Sequence, residues 1–383
     1  MFRKLIPFLL LFGVALVQAE LKPEPFGVIR TLETPYPSHW IIAQDVSFFH
    51  FSDGKAIVLD PLGEDLGQQY KGMMNSALVA PLAISAARNE IYFAETFYSH
   101  TWRGKREDVL TVYDQETLSV MAEVPLPGGK RSITMPEIHS LQLIDNDRFA
   151  LVFNLTPATS VSVVDLDKRE MVNEVQTPGC SLIYPTGSRG FTSICGDGAL
   201  LSFQLDEAGK VVDQHRSKPV WDIDNDALFE KPAVYDGIAY FMSFGGGVLP
   251  VDLSGDKPKL GEAWSLLSDE ERSQGLRPGG WQLNAVDGDG RMYILVHPDS
   301  YNGSHKDGGP EVWVYDLKSG KREQKIAMNT WAISLAITGG DNPLLISTNA
   351  EMNLDVYDAR TGDYQRTLSG FGQETPFVVY GIN

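Results

Sequence analysis

Val312-Trp-Val-Tyr-Asp316-Leu-Lys-Ser-Gly320 and Leu354-Asp-Val-Tyr-Asp358-Ala-Arg-Thr-Gly362 are two copies of one phrase. Each opens with β-branched and aromatic residues suited to a pleated, half-buried strand. Each then reaches an Asp, whose carboxylate can accept backbone N–H bonds, and a Gly where a tight turn needs positive φ. Toward the N-terminus the strand-plus-Asp part recurs as Ala56-Ile-Val-Leu-Asp60, Leu110-Thr-Val-Tyr-Asp114, Val161-Ser-Val-Val-Asp165, Phe203-Gln-Leu-Asp206 and Leu249-Pro-Val-Asp252. The seven aspartates are 54, 51, 41, 46, 64 and 42 residues apart, which is the spacing of four-stranded propeller blades. The run after each turn, such as Arg322-Glu-Gln-Lys-Ile326, is more polar, as an outer strand facing solvent should be.

The longest interval, Asp252 to Asp316, holds the clearest helical signal. Ser268-Asp-Glu-Glu271 is a capping box, and Gly275 and Pro278 stop the turn that follows. Nowhere else does a 3.6-residue period persist, so the βαβ alternation of a parallel sheet is missing. The expected fold is all-β: a seven-bladed β-propeller of four-stranded blades with one short helical insertion. The last run, Thr375-Pro-Phe-Val-Val-Tyr380, has no hairpin partner after it and is expected to close the ring beside His39-Trp-Ile-Ile-Ala43. The expected division is a signal peptide over 1–19, an extended proline-rich arm over 20–37, and the propeller over 38–383.

The leader reads from Arg3 and Lys4, the apolar run Leu5 to Val17, and the small residues around Val17-Gln-Ala19. The run is too short to span a bilayer comfortably, so an exported chain with no membrane span after cleavage is expected, in the periplasm. In an oxidising compartment Cys180 and Cys195 should be bridged. A turn at Gly187-Ser188 sets them opposite each other on paired strands. Such a bridge is worth about 3 kcal/mol in the chain-entropy view.

Thirty-two Lys and Arg against fifty Asp and Glu give a net charge of −18. Nucleic acid is thereby excluded as a partner, because its binding runs on cationic displacement of counterions. Catalytic motifs are missing: no Gly-x-Ser-x-Gly elbow, no phosphate loop, no dinucleotide fingerprint. Asp222-Ile-Asp-Asn-Asp226 opens like a calcium loop but has Ala227 and Ala233 where Gly and Glu belong, so no metal is assigned. His297 and His305 flank a Gly- and Asp-rich loop that either lines a funnel or stands in solvent. A propeller hosts many functions, and the fold does not choose among them.

Several stretches resemble the heavy chain of the quinoprotein amine dehydrogenases. They are Arg103-Gly-Lys-Arg-Glu-Asp-Val109, Pro157-Ala-Thr-Ser-Val-Ser-Val-Val-Asp165, Ile194-Cys-Gly-Asp-Gly198, Trp264-Ser-Leu-Leu-Ser-Asp-Glu-Glu271 with Pro278-Gly-Gly-Trp281, and Gly290-Arg-Met-Tyr293 with His297-Pro-Asp299 and His305-Lys306. Within the family, Ile194-Cys-Gly-Asp-Gly198, Trp264-Ser-Leu-Leu267 and His297-Pro-Asp299 resemble the aromatic amine dehydrogenase more than the methylamine enzyme.

The resemblance implies a periplasmic assembly of two heavy and two small, disulfide-rich light chains. The light chain would bear tryptophan tryptophylquinone, so this chain would hold no cofactor and no catalytic residue. A primary amine, of arylalkyl type, would be oxidised to aldehyde and ammonia, with the electrons passing to a periplasmic blue copper protein. The heavy chain would exclude water and supply part of the substrate channel. The family's channel Phe falls on Leu78, or on Ala77 if the alignment of Gly72-Met-Met-Asn-Ser-Ala-Leu78 moves by one residue. Arg103, Lys105 and Arg106 form the compact basic cluster of an acidic chain and are candidates for the subunit interface. The competing expectation is a periplasmic propeller with a ligand-binding or interaction role and no light chain.

Overall fold

The sheets follow the sequence phrase. In the computed structural model, residues 31–46, 53–77, 79–131, 137–372 and 374–382 are described, and those from Leu32 onward form one unit. The expected leader, most of the proline-rich arm and Leu78 lie outside the described residues. Within 31–37, Leu32 and Tyr36 are buried, and the Tyr36 hydroxyl donates to the Gln115 carbonyl at 2.6 Å. No described helix is long and apolar enough to cross a membrane.

Every one of the seven phrase-ending aspartates accepts a turn N–H. Asp114 takes that of Thr117 at 2.7 Å, Asp206 that of Lys210 at 2.8 Å, and Asp358 that of Thr361 at 2.9 Å. Asp60, Asp165, Asp252 and Asp316 do the same for Leu62, Lys168, Ser254 and Ser319. Gly320 and Gly362 take positive φ, 66° and 78°, as the turn reading required. The aspartates are hairpin fasteners.

The expectation of seven separate four-stranded blades does not hold. Five sheets have the size of a blade. One contains strands Thr375–Gly381, Ile41–Val46, Gly54–Leu59 and Tyr70–Ser76; the next begins at Leu82–Ser85, and the others begin at Leu141–Ile144, Cys180–Thr186 and Ala233–Tyr235. The Ala233–Tyr235 sheet has five strands, because both Lys259–Leu260 and Trp264–Ser265 pair with Gly247–Asp252. The rest of the chain forms one eight-stranded sheet from Arg277 to Leu368.

The cause is the 17-residue strand Lys321–Ile337, which pairs with Gly309–Asp316 through its first half and with Leu344–Asn349 through its second. Other crossings between repeats contain a breaker: Pro81, Pro127, Pro178, Pro219 and Pro278. Lys321 to Ile337 contains neither Pro nor Gly, so nothing interrupts the ladder.

The end-to-end pairing is direct: Thr375–Gly381 lies antiparallel to Ile41–Val46, with Ala43 opposite Val379. Inner strands touch in sequence, Leu82–Ser85 against Leu141–Ile144 and that against Cys180–Thr186. Lys321–Ile337 touches Asn284–Val286 on one side and Thr375–Gly381 on the other. Between sheets lie layers of buried Val, Ile, Leu and aromatic residues. The helical insertion is Asp269–Ser273, capped by Ser268 and Glu271 as a full capping box; a second helix of four residues spans Leu66–Gln69.

Cys180 and Cys195 are bonded and directly opposed. The turn between them differs from the simple two-residue form. The register slips between Ser181 and Tyr184, where Leu182 has φ 62°, and Thr186 then faces Gly190. One extra residue on the first strand moves the turn without moving the cysteines.

Candidate functional site

Strands Glu90–His100 and Arg103–Asp114 form a hairpin longer than the 4- and 6-residue strands that flank it, so its tip stands beyond the sheet. The tip exposes Trp102 and Phe97, at 63% and 41%. Arg103 lies over the Trp102 ring at 5.9 Å, and Lys105 pairs with Glu107 in solvent. Arg106 points the other way: its Nε donates to Asp108 Oδ1 at 3.1 Å and its Nη2 to the Arg131 carbonyl at 3.0 Å. The basic cluster thus splits into two outward cations and one internal ion pair.

Below the tip is a buried polar knot. Glu95 breaks the apolar run Ile91-Tyr-Phe-Ala, yet it is only 2% exposed. Its Oε1 accepts the Ala77 N–H at 2.7 Å, and its Oε2 accepts the Thr111 hydroxyl. Burial pushes the Glu95 carboxyl up to about 7, against the pull of those two hydrogen bonds and of Arg131. Arg131, equally buried, donates from Nε to Thr96 Oγ1 at 2.7 Å and from Nη1 to the Val79 carbonyl at 3.3 Å. Burial lowers its guanidinium to about 10, so it stays charged at neutral pH. The Thr96 hydroxyl in turn donates to Asp108 at 2.5 Å. Ala77 itself is half-buried.

A second charged group lines a pocket where inner strands of three sheets begin. Glu137 precedes one inner strand, Lys231 another and Trp281 a third. Lys231 Nζ lies 3.7 Å from Glu137 Oε2 and 4.3 Å from the Trp281 ring centre, and Trp281 stacks on Phe377. Glu137, Lys231, Trp281 and His139 line a pocket, and an open depression that also touches Glu137, Lys231 and Trp281 reaches Leu155, Cys195 and His305. Burial raises Glu137 to about 7 in spite of Lys231. Burial, with Lys231 adding to it, lowers His139 to about 4, so the imidazole is neutral at pH 7.

The other motifs resolve in turn. His305 lines the depression, whereas His297 is 2% exposed and bonds Ser304 at 2.9 Å to hold its loop. Asp226 accepts the Gly245 N–H at 2.7 Å, a structural use of the calcium-like segment. Among the described residues no three His, Cys, Asp or Glu stand together as metal ligands. Glu95, Arg131, Glu137 and Lys231 were not picked out by motif. The available signal for Glu95 was a carboxylate placed directly after the apolar run Ile91-Tyr-Phe-Ala94.

Fold and site define a disulfide-bridged propeller whose chemistry-bearing groups gather at one pocket and one hairpin. The family model for the methylamine dehydrogenase heavy chain matches residues 41–382, and the chain belongs to that family. It is 27% identical over 295 residues to the methylamine dehydrogenase heavy chain of Methylobacillus flagellatus, covering 76% of this chain and 73% of the relative. It is 26% identical over 350 residues to that of Paracoccus versutus, covering 89% and 79%. A solved dihydro-heme d1 dehydrogenase shares the fold alone, with TM-score 0.54 and 16% identity over 92% of this chain and 77% of that one. The expectation of an amine dehydrogenase heavy chain is met; its subtype belongs to the proposal that follows.

Proposed function

We propose that this chain is the heavy subunit of a periplasmic amine dehydrogenase that oxidises primary arylalkyl amines. The family match across residues 41–382 carries the reading. A primary amine and water give aldehyde, ammonia, two protons and two electrons, and the electrons leave through a periplasmic copper protein. The tryptophan tryptophylquinone of a light chain supplies the carbonyl at which the amine is oxidised. The assembly is two heavy and two light chains.

This chain's part is to cover and to shape. By covering the light chain it excludes water there, and Leu78, or Ala77 if the alignment moves by one residue, takes the channel-wall position. Phe97, Trp102, Arg103 and Lys105, exposed at the hairpin tip, are our candidates for light-chain contact. An aliphatic wall in place of an aromatic one leaves room for a bulky amine, which favours the arylalkyl class.

The test is co-expression with a small exported cysteine-rich chain, followed by a dye-linked assay on methylamine, tyramine and phenylethylamine. The complex should turn over the aromatic amines best, and this chain alone should turn over none. A complex that shows the quinone absorption band and oxidises no primary amine would refute the reading.

A further inference from the structure

We propose that Glu95 and Arg131 are positioning residues that clamp the channel wall at Ala77 and so set which amines fit. The inference rests on the reading above and deepens it. Ala77 is in the crossing from strand Tyr70–Ser76 to strand Leu82–Ser85, a segment outside any ladder whose backbone groups need partners from elsewhere. Buried side chains provide them from both directions. Glu95 holds the Ala77 N–H at 2.7 Å, Arg131 holds the Val79 carbonyl at 3.3 Å, and Gln44 donates to the Ala80 carbonyl.

The holders are themselves held. Thr111 donates to the second Glu95 oxygen, and Thr96 accepts from Arg131 while donating to Asp108. Asp108 and the Arg131 carbonyl are then tied by the single side chain of Arg106. Each of these side chains is hydrogen-bonded and, Arg106 apart, buried, so the wall resists yielding to a substrate or relaxing into the space its small side chain leaves open. A rigid gap is what a bulky arylalkyl amine needs and what methylamine ignores. Loosening the clamp should therefore separate the two substrates, since small displacements of positioning groups cost rate steeply.

The measurement uses the co-expressed complex with Glu95→Ala and Glu95→Gln. The amide of Gln keeps an oxygen for the Ala77 N–H, and the Thr111 hydroxyl can turn to accept from its nitrogen. E95A should raise KM for phenylethylamine about tenfold while KM and kcat for methylamine change by less than about twofold. E95Q should restore the wild-type ratio.

Amide hydrogen exchange over residues 72–82 gives an activity-independent readout: protection lost in E95A and kept in E95Q. Should E95A fail to accumulate, Thr111→Val tests the same contact and should change the KM ratio in the same direction by about two- to threefold. A complex active on amines in which these variants move both KM values together, or leave exchange unchanged, overturns the clamp and leaves the function standing. A wild-type complex inert toward every amine overturns the function instead.

Discussion

Two groups of buried charge occupy the same molecule and are used in different ways. At the hairpin base, Glu95 and Arg131 each hold one backbone group, the Ala77 N–H and the Val79 carbonyl, and one threonine hydroxyl, of Thr111 and of Thr96. Beside the pocket, Lys231 meets the Glu137 carboxylate at 3.7 Å and the Trp281 ring centre at 4.3 Å. The first arrangement is satisfied by the chain and should act as a fixed part. The second depends on a single partner and lines a pocket. Burial raises Glu95 and Glu137 alike to about 7, so both carboxyls titrate; what separates the two groups is how many buried bonds are lost when one partner is removed.

The largest expected effect tests the scaffold side. Arg131→Met strips Val79 and Thr96 of their buried donor and should cost about 3–5 kcal/mol in unfolding free energy. Lys231→Met keeps the aliphatic stem over Trp281, and Glu137 can take up a proton once its partner is gone. That change should cost only about 1 kcal/mol. Urea unfolding of both variants at pH 7 decides the matter; equal losses would erase the distinction between the two groups.

The next effect is on the pH side. Glu137 rises from 4.5 to about 7 on folding, so between those values the folded chain keeps a proton that the unfolded chain has lost. Its contribution to stability therefore falls as pH rises through that window. His139 does the reverse. Lowered from 6.5 to about 4, it is neutral where the unfolded imidazole is charged, and its contribution grows as pH rises from 4 to 6.5. Glu137→Gln removes the falling part. The variant should gain on the wild type by up to about 3 kcal/mol between pH 4.5 and 7. His139→Phe, which keeps a ring against Tyr184, should lose the rising part and show the opposite trend from pH 4 to 6.5. Glu95 titrates in the same direction as Glu137 but is common to all three proteins and cancels in the differences.

What was legible in the sequence is what neighbours in the chain decide. The Asp-to-Gly turns, the capping box at Ser268 and the opposition of Cys180 and Cys195 all follow from bonds closed within about fifteen residues. The fused eight-stranded sheet was missed: the recurring aspartates suggested separate blades, and the missing breaker between Lys321 and Ile337 was not weighed against them. The site was not legible. Arg131 reaches Val79 across 52 positions, and Glu137 meets Lys231 only because separate sheets deliver them to one pocket. A propeller assembles its centre from residues far apart in the chain, so no local motif marks them.

The smallest expected effect on stability belongs to the hairpin tip, where the strands of the clamp continue outward. The charged ends of Arg103 and Lys105 meet Trp102 and Glu107 at the exposed tip, so reversing both charges, Arg103→Glu with Lys105→Glu, should leave the unfolding midpoint where it is. Arg106, two bonds deeper into the fold, should not tolerate the same change, because Asp108 beside it is buried. If the tip is the light-chain contact, the double reversal should weaken association about tenfold, mostly by slowing encounter, with a salt dependence smaller than the wild type's. Native mass measurements across a salt series read both quantities. Unchanged association would take the tip out of the interface and leave Arg106 and its partners as the hairpin's working end, a part that acts inward on Ala77 rather than outward on a second chain.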